Sequence, residues 1–207
     1  GSVTSENMVD DLVAMAQRSP LMNPYWEDKI PDFSRITIPC YCTACWNHFH
    51  LRGAFQGFRR IKSKKKWMRA HREFEWPDGY SHESIAELKL FFDRYLKDIH
   101  NCWESTPRVR LEVMDAKEFL YAKNRPETSF PLKRTASHSL SWEPVAQQSK
   151  VSYDGETGVT TFDIKFTEDT EITGYMKLHM WVTAESYTDA DIFVNIQKLD
   201  TKGEWLP

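Results

Sequence analysis

No stretch of this 207-residue chain approaches the roughly 18 to 20 uninterrupted apolar residues needed to cross a bilayer. The first twenty residues also lack the apolar core of a signal peptide, so the expectation is a soluble, cytoplasmic protein. Excess charge of one sign is missing too. Lys and Arg number 27 against 30 Asp and Glu, for a net charge of -3, so no global field recruits nucleic acid or an anionic membrane as partner. No Asn-x-Ser/Thr sequon occurs. Cysteines are few and badly spread for a secreted disulfide framework: three fall in Cys40-Tyr41-Cys42-Thr43-Ala44-Cys45, and Cys102 stands alone. Cys42 and Cys45 have the C-x-x-C spacing of a redox pair or of half a zinc site, but no second pair exists to complete the latter. The simpler expectation is reduced cysteine used as a small hydrophobe in a buried strand, with no cofactor and no metal.

Aromatic residues are abundant. Eight Trp, eight Tyr and twelve Phe make 14% of the chain, which suits either a densely packed core or an aromatic-lined pocket for an apolar small molecule. One stretch is strongly basic: Arg59, Arg60, Lys62, Lys64, Lys65, Lys66, Arg69 and Arg72. Like charges packed this closely need water around them, so the stretch reads as a solvated loop between a helix and a strand.

Periodicity divides the chain. Residues Ser5 to Arg18 read as an amphipathic helix capped by Ser5, with Met8, Val9, Leu12 and Val13 on its apolar face and Pro20 beyond its end. Ile36 to Ala44 reads as a buried strand, Gly53 to Ile61 as a helix, and Trp67 to His71 as a short strand followed by a loop, Glu75 to Gly79. The clearest helix is Glu83 to Ile99, capped by Ser81 or Ser84, with Ile85, Leu88, Phe92, Tyr95, Leu96 and Ile99 toward the core. After Pro107 the apolar period becomes two, in Val109 to Val113, Phe162 to Phe166, Met176 to Val182 and Ile192 to Ile196, which predicts an antiparallel β module. The division is expected between Asn101 and Ser137, giving units of residues 1–106 and 107–207.

In a doubly wound α/β sheet, reactive groups gather at the carboxyl ends of the strands. Cys45-Trp46-Asn47-His48 follows one predicted strand and His71 ends the next, which is the order in which an α/β-hydrolase presents its triad acid and then its histidine. Several separated motifs carry a more specific likeness: Tyr25-Trp26-Glu27-Asp28-Lys29, Ile36-Thr37-Ile38-Pro39, Lys66-Trp67-Met68-Arg69-Ala70-His71, Glu75-Trp76-Pro77-Asp78, Phe91-Phe92-Asp93-Arg94-Tyr95-Leu96-Lys97 and Thr106-Pro107-Arg108-Val109-Arg110. Together they resemble the cocaine esterase and X-prolyl dipeptidyl peptidase group of α/β-hydrolases, from about Met22 to the end of the chain.

That resemblance implies a serine ester or amide hydrolase with an α/β catalytic domain and a C-terminal jelly-roll sandwich. It places His71 at the position of the triad base. It also places His48 where the family's Gly-Trp-x-Asp pattern carries its acid, and histidine cannot supply the fixed negative charge that orients an imidazolium. Glu73, Glu75 and Asp78 could replace that acid, although a charged surface loop is the more frequent explanation of such residues. No Gly-x-Ser-x-Gly elbow occurs in the 207 residues. A jelly roll takes about eight strands, and residues 137–207 have room for four or five. The expected fold is therefore a partial α/β-hydrolase sheet followed by an incomplete antiparallel sandwich. Trp46, Asn47, His50, Trp67, Glu75 and Trp76 are the candidate binding residues around His71 and His48. His48-Phe49-His50 has the His-x-His form of a metal-binding pair, but no third ligand is evident from the sequence.

Three functions fit. The chain is part of a hydrolase whose serine comes from elsewhere, or a repurposed fold that holds an apolar small molecule, as a cyclase of fungal secondary metabolism would, or a non-catalytic interaction module. An incomplete sandwich exposes strand edges, so a homodimer or a companion chain is expected.

Overall fold

The computed structural model describes residues 10–116, 119–135, 152, 154–185, 188 and 190–206. Expectations placed on Ser5, Met8, Val9 and Ser137 lie outside these residues. Helix α1, Leu12–Arg18, begins at Asp11, whose carboxylate accepts hydrogen bonds from the Val13 and Ala14 backbone N–H groups at 3.1 Å. Helix α2, Pro24–Asp28, has Asn23 as its cap and proline in its first turn, where the missing N–H costs nothing.

Four strands make the main sheet, in the order β1 (Cys40–Cys45), β2 (Lys66–His71), β3 (Val109–Ala116) and β4 (Phe119–Glu127). The first three are parallel neighbours, and β4 returns antiparallel to β3 through a bulged register. The sheet therefore runs past residue 106, with β3 paired to both units expected on either side of it. Helix α3, Leu51–Arg60, connects β1 to β2. Beyond β2 come α4, Glu75–Gly79, and α5, His82–Leu96. The segment 75–79, expected as a loop, is thus one short helical turn: Phe74, in an extended conformation, ends the incoming chain, and proline stands at the third helical position, inside the first turn.

Strand alternation sorts the core onto two faces. Cys42, Ala44, Met68, Ala70, Val109 and Leu111 point to the side where α3 inserts Phe55 and Phe58, and Phe130 and Leu132 close that cluster. On the opposite face Trp67, Phe91 and Trp103 are buried together, with Tyr41 and Tyr95 packed against them. Ring centroids in this second cluster lie 5.1 to 6.3 Å apart, mostly edge-on or tilted. This is the geometry that aromatic quadrupoles favour. Part of the chain's aromatic content goes into this packing, while Phe49, Trp76, Trp181 and Phe193 stand exposed.

Helix α5 is capped by Ser81, whose hydroxyl accepts from the Ser84 N–H at 3.2 Å. Its buried stripe is Ser84 and Phe91, with Glu87, Leu88 and Tyr95 partly covered. Of the stripe expected from the sequence only Leu88 and Tyr95 are covered: Ile85, Phe92 and Leu96 face outward, and Ile99 is exposed beyond the end of the helix. Two polar residues, Ser84 and Glu87, take the inward positions because they meet charged groups of β2 and β3.

The basic stretch is also more structured than a solvated loop. Lys66 donates to the Phe58 and Ile61 carbonyls at 2.7 and 2.8 Å, capping the end of α3, where a cation also meets the negative end of the helix dipole. Arg69 is buried in β2.

In the second half, residues 162–166, 176–182 and 192–196 alternate as predicted but form no ladder among the described residues, and their apolar side chains are exposed. Only a two-stranded pairing of β5 (Lys198–Leu199) with β6 (Trp205–Leu206) appears there. Period two gives each segment an apolar face, but a strand is held by a ladder of hydrogen bonds to a neighbour, and no such ladder is formed there among the described residues. No helix among the described residues is long and apolar enough to cross a membrane.

Candidate functional site

Parallel pairing in register sets Cys45 opposite His71, and the Trp46 N–H donates to the His71 carbonyl at 2.8 Å. The turn after β1 and the end of β2 are therefore fixed side by side. His71 is 2% exposed. Its Nδ1 lies 2.9 Å from the Glu73 carbonyl oxygen, which can only accept, so Nδ1 carries the proton. Nε2 lies 3.5 Å from the Asp78 carboxylate. Burial pushes the His71 pKa down, more than Asp78 pulls it up.

Asp78 thus does approach the histidine, but on the nitrogen that a triad base would turn toward its nucleophile. Arg69 holds Asp78 through both guanidinium nitrogens and also donates to the Ser84 hydroxyl at 3.1 Å. Burial raises the Asp78 pKa, but the Arg69 hydrogen bonds and charge, helped by His71, outweigh it and leave the carboxyl below its ordinary value. The same face continues into a second pair. Glu87 accepts from the Tyr41 hydroxyl at 2.5 Å, pairs with Arg110 and lies 3.5 Å from Arg69, while both arginines donate to the Tyr41 oxygen at 3.1 Å. Two guanidiniums thereby face two carboxylates, which balances the charge of a largely buried cluster. Tyr41 is pushed up to about 12, chiefly by burial.

The candidate binding residues divide. Trp67 has no exposed surface, and its Nε1 donates to the Thr106 carbonyl at 3.1 Å, so it is a core residue out of reach of any ligand. Trp46 stacks on Phe55 at 5.4 Å and donates to the Glu112 carbonyl at 2.8 Å. Asn47 reaches the Arg72 carbonyl at 3.4 Å. Trp76 stands exposed, edge-on to Phe74. His48, His50 and Glu75 do come together: His48 Nε2 lies 3.1 Å from the Glu75 carboxylate, and its ring packs 4.5 Å from that of His50. Sequence reading missed Arg69, Tyr41, Glu87 and Arg110 as one cluster. The available signal was an arginine set between Met68 and Ala70 in a strand otherwise free of exposed positions.

The four cysteines are free. Cys42 and Cys45 sit three apart on one strand and so point to opposite faces, which removes the redox-pair reading. Burial raises both thiols, Cys42 to about 11, which suits the small-hydrophobe role. No hydrogen bond among the described residues joins a serine hydroxyl to an imidazole nitrogen.

Residues 101–205 match the family described as the X-Pro dipeptidyl-peptidase C-terminal non-catalytic domain. The chain belongs to that family, within the X-Pro dipeptidyl peptidase and cocaine esterase-like group. Among solved structures it is similar to two crystal structures of a CocE/NonD family hydrolase from Staphylococcus aureus. Identities are 34% and 35% and TM-scores 0.56 and 0.55. The alignments cover 60% of this chain but only 23% and 22% of the hydrolase, so the chain spans about a quarter of that protein's length. Comparison with curated proteins gives no match.

Proposed function

We propose that this chain is the C-terminal, non-nucleophilic portion of a serine ester or amide hydrolase, and that the serine is supplied by polypeptide outside these 207 residues. The match to a domain named non-catalytic carries the reading. The site geometry supports it: the histidine at the strand end is enclosed by Asp78 and the Glu73 carbonyl and has no serine on either nitrogen. In this reading His71 ties β2 to α4 and gives the sheet a firm carboxyl edge, and opening its Nε2 to a substrate requires Asp78 to move. Incubating the chain with a fluorophosphonate probe and reading its intact mass is the test. The expected mass is unmodified, and a stoichiometric adduct overturns the proposal.

The same reading calls for a companion. Among the described residues strand β1 stands at the sheet edge, α5 turns Ile85, Phe92 and Leu96 to solvent with Ile99 exposed beyond its end, and the alternating segments 162–166, 176–182 and 192–196 form no ladder that would make an antiparallel sandwich. A second copy or the remainder of a hydrolase would cover these surfaces. Light scattering at micromolar concentration should therefore give a dimer or larger species, and a monomer contradicts it. An apolar small molecule is less well served by two clefts among the described residues, of about 560 and 360 Å³, which are lined mainly by charged and polar residues.

A further inference from the structure

The turn after β1 holds an unused set of ligand atoms. His48 and His50 are presented there as a His-x-His pair, and the first turn of α4 brings Glu75 to them from across the sheet end. One atom from each of the three lies within 4.8 Å of the other two. We propose that His48, His50 and Glu75 form a site for a divalent transition-metal ion, with zinc-like preference, in which the protein fills three positions and leaves a fourth for water or a small anion.

One of the three ligand separations is already close to what such an ion needs, and the exposed His50 and Glu75 can close the rest. Two ligand atoms each about 2.0 to 2.1 Å from a tetrahedral ion stand about 3.3 Å apart. His48 Nε2 and the Glu75 oxygen are already 3.1 Å apart. The donor set, two imidazoles and one carboxylate, suits a borderline ion and leaves it a coordination position open. Access and anchoring are both provided, since His48 is 7% exposed while His50 and Glu75 lie at the surface. His50's ring nitrogens have no hydrogen-bond or ion-pair partner among the described residues, so nothing need be displaced to recruit them. Two aromatic rings flank the cluster: Phe49 packs 4.2 Å from both imidazoles, and Phe74 lies 5.2 Å from His48.

Without metal, His48 Nδ1 accepts from the His50 backbone N–H at 3.2 Å, so Nε2 carries the proton and points it at Glu75. Coordination through Nε2 moves that proton to Nδ1 and gives up this long hydrogen bond. Glu75 then exchanges a proton partner for a cation. The arrangement is thus a histidine–carboxylate pair that a metal ion can enter, with a second imidazole beside it. It shares no residue with the Asp78–Arg69–His71 cluster and does not depend on hydrolysis.

Titration of the purified chain with Co²⁺ alone, followed by visible absorption and then by Zn²⁺ competition, tests the site. Saturation at one equivalent, with the strong d–d bands of a four-coordinate ion that Zn²⁺ bleaches, is the expected result. His50→Ala and Glu75→Gln, both exposed and neither needed for the core, should each weaken binding at least about tenfold. His100→Ala, away from the cluster, should leave it unchanged. Absence of saturable one-equivalent binding overturns the proposal, as does wild-type affinity in His50→Ala and Glu75→Gln with circular dichroism showing intact helices.

Discussion

Replacing Arg69 with methionine should cost about 3–5 kcal/mol in urea unfolding, because it leaves a carboxylate buried without its cation. Arg69 and Asp78 have side-chain exposures of only 7% and 13%, so solvent cannot take over the lost partner. Arg110 remains to serve Tyr41 and Glu87, which confines the damage to the Asp78 side. Removing the carboxylate as well, in Arg69→Met with Asp78→Leu, should recover much of the loss, since both charges are then gone. The pH dependence has a defined sign. In the native chain the folded pKa of Asp78 is depressed, so its contribution is present above the ordinary carboxyl value of 3.8 and is lost as pH falls through the folded value. In Arg69→Met the buried carboxyl is instead raised, and protonation relieves it. The stability gap between the two proteins should therefore narrow from pH 7 toward pH 4. His71 adds a second slope in the native chain, because its folded pKa is lowered: stability falls as pH drops below 6.5, where the unfolded chain takes up a proton first. A loss below about 1 kcal/mol in Arg69→Met, typical of surface pairs, would show that Asp78 is solvated in solution.

Trp67→Ala should be comparably damaging, at about 3–5 kcal/mol. Its ring has no exposed surface and contacts Phe91, Tyr95 and Trp103, while its Nε1 satisfies the Thr106 carbonyl at the entry to β3. The alanine variant leaves a cavity in a cluster that joins β2 to α5, and it orphans a carbonyl. Trp76→Ala is the matched control. That side chain is exposed and touches only Phe74 among aromatic rings, so the expected change is within about 0.5 kcal/mol. Urea midpoints of the two variants decide the matter, and equal midpoints would mean that the aromatic cluster is not packed as described.

The parts legible in the sequence were those written in local pattern. Ser81 at the head of α5 and His71 at the end of β2 follow from capping and periodicity, which act over a few residues, whereas the strand expected over 36–44 forms only from Cys40 and leaves Ile38 exposed. What escaped depends on residues far apart in the chain. The α5 stripe rotated toward Ser84 and Glu87 because Arg69 and Arg110 wait opposite, and hydropathy scores such positions as outward. Arg69 read as one more solvated cation because its neighbours in sequence are basic, whereas its neighbour in space is Asp78. Glu75 became a companion of His48 only when two strand ends were brought together. The alternating segments after residue 154 show the converse: a correct local pattern does not by itself make a sheet.

Strand β3 also belongs to two kinds of chain closure. Its pairing with β4 closes a loop of a few residues, whereas its pairing with β2 encloses α4, α5 and the Trp103 turn. Loop entropy favours the first strongly while the chain is still open. By loop entropy, one edge of β3 is expected to fill before the other. The late edge is the one that joins the residues before position 101 to those matched by the family, so the order of closure also decides when the two stretches become one cooperative unit.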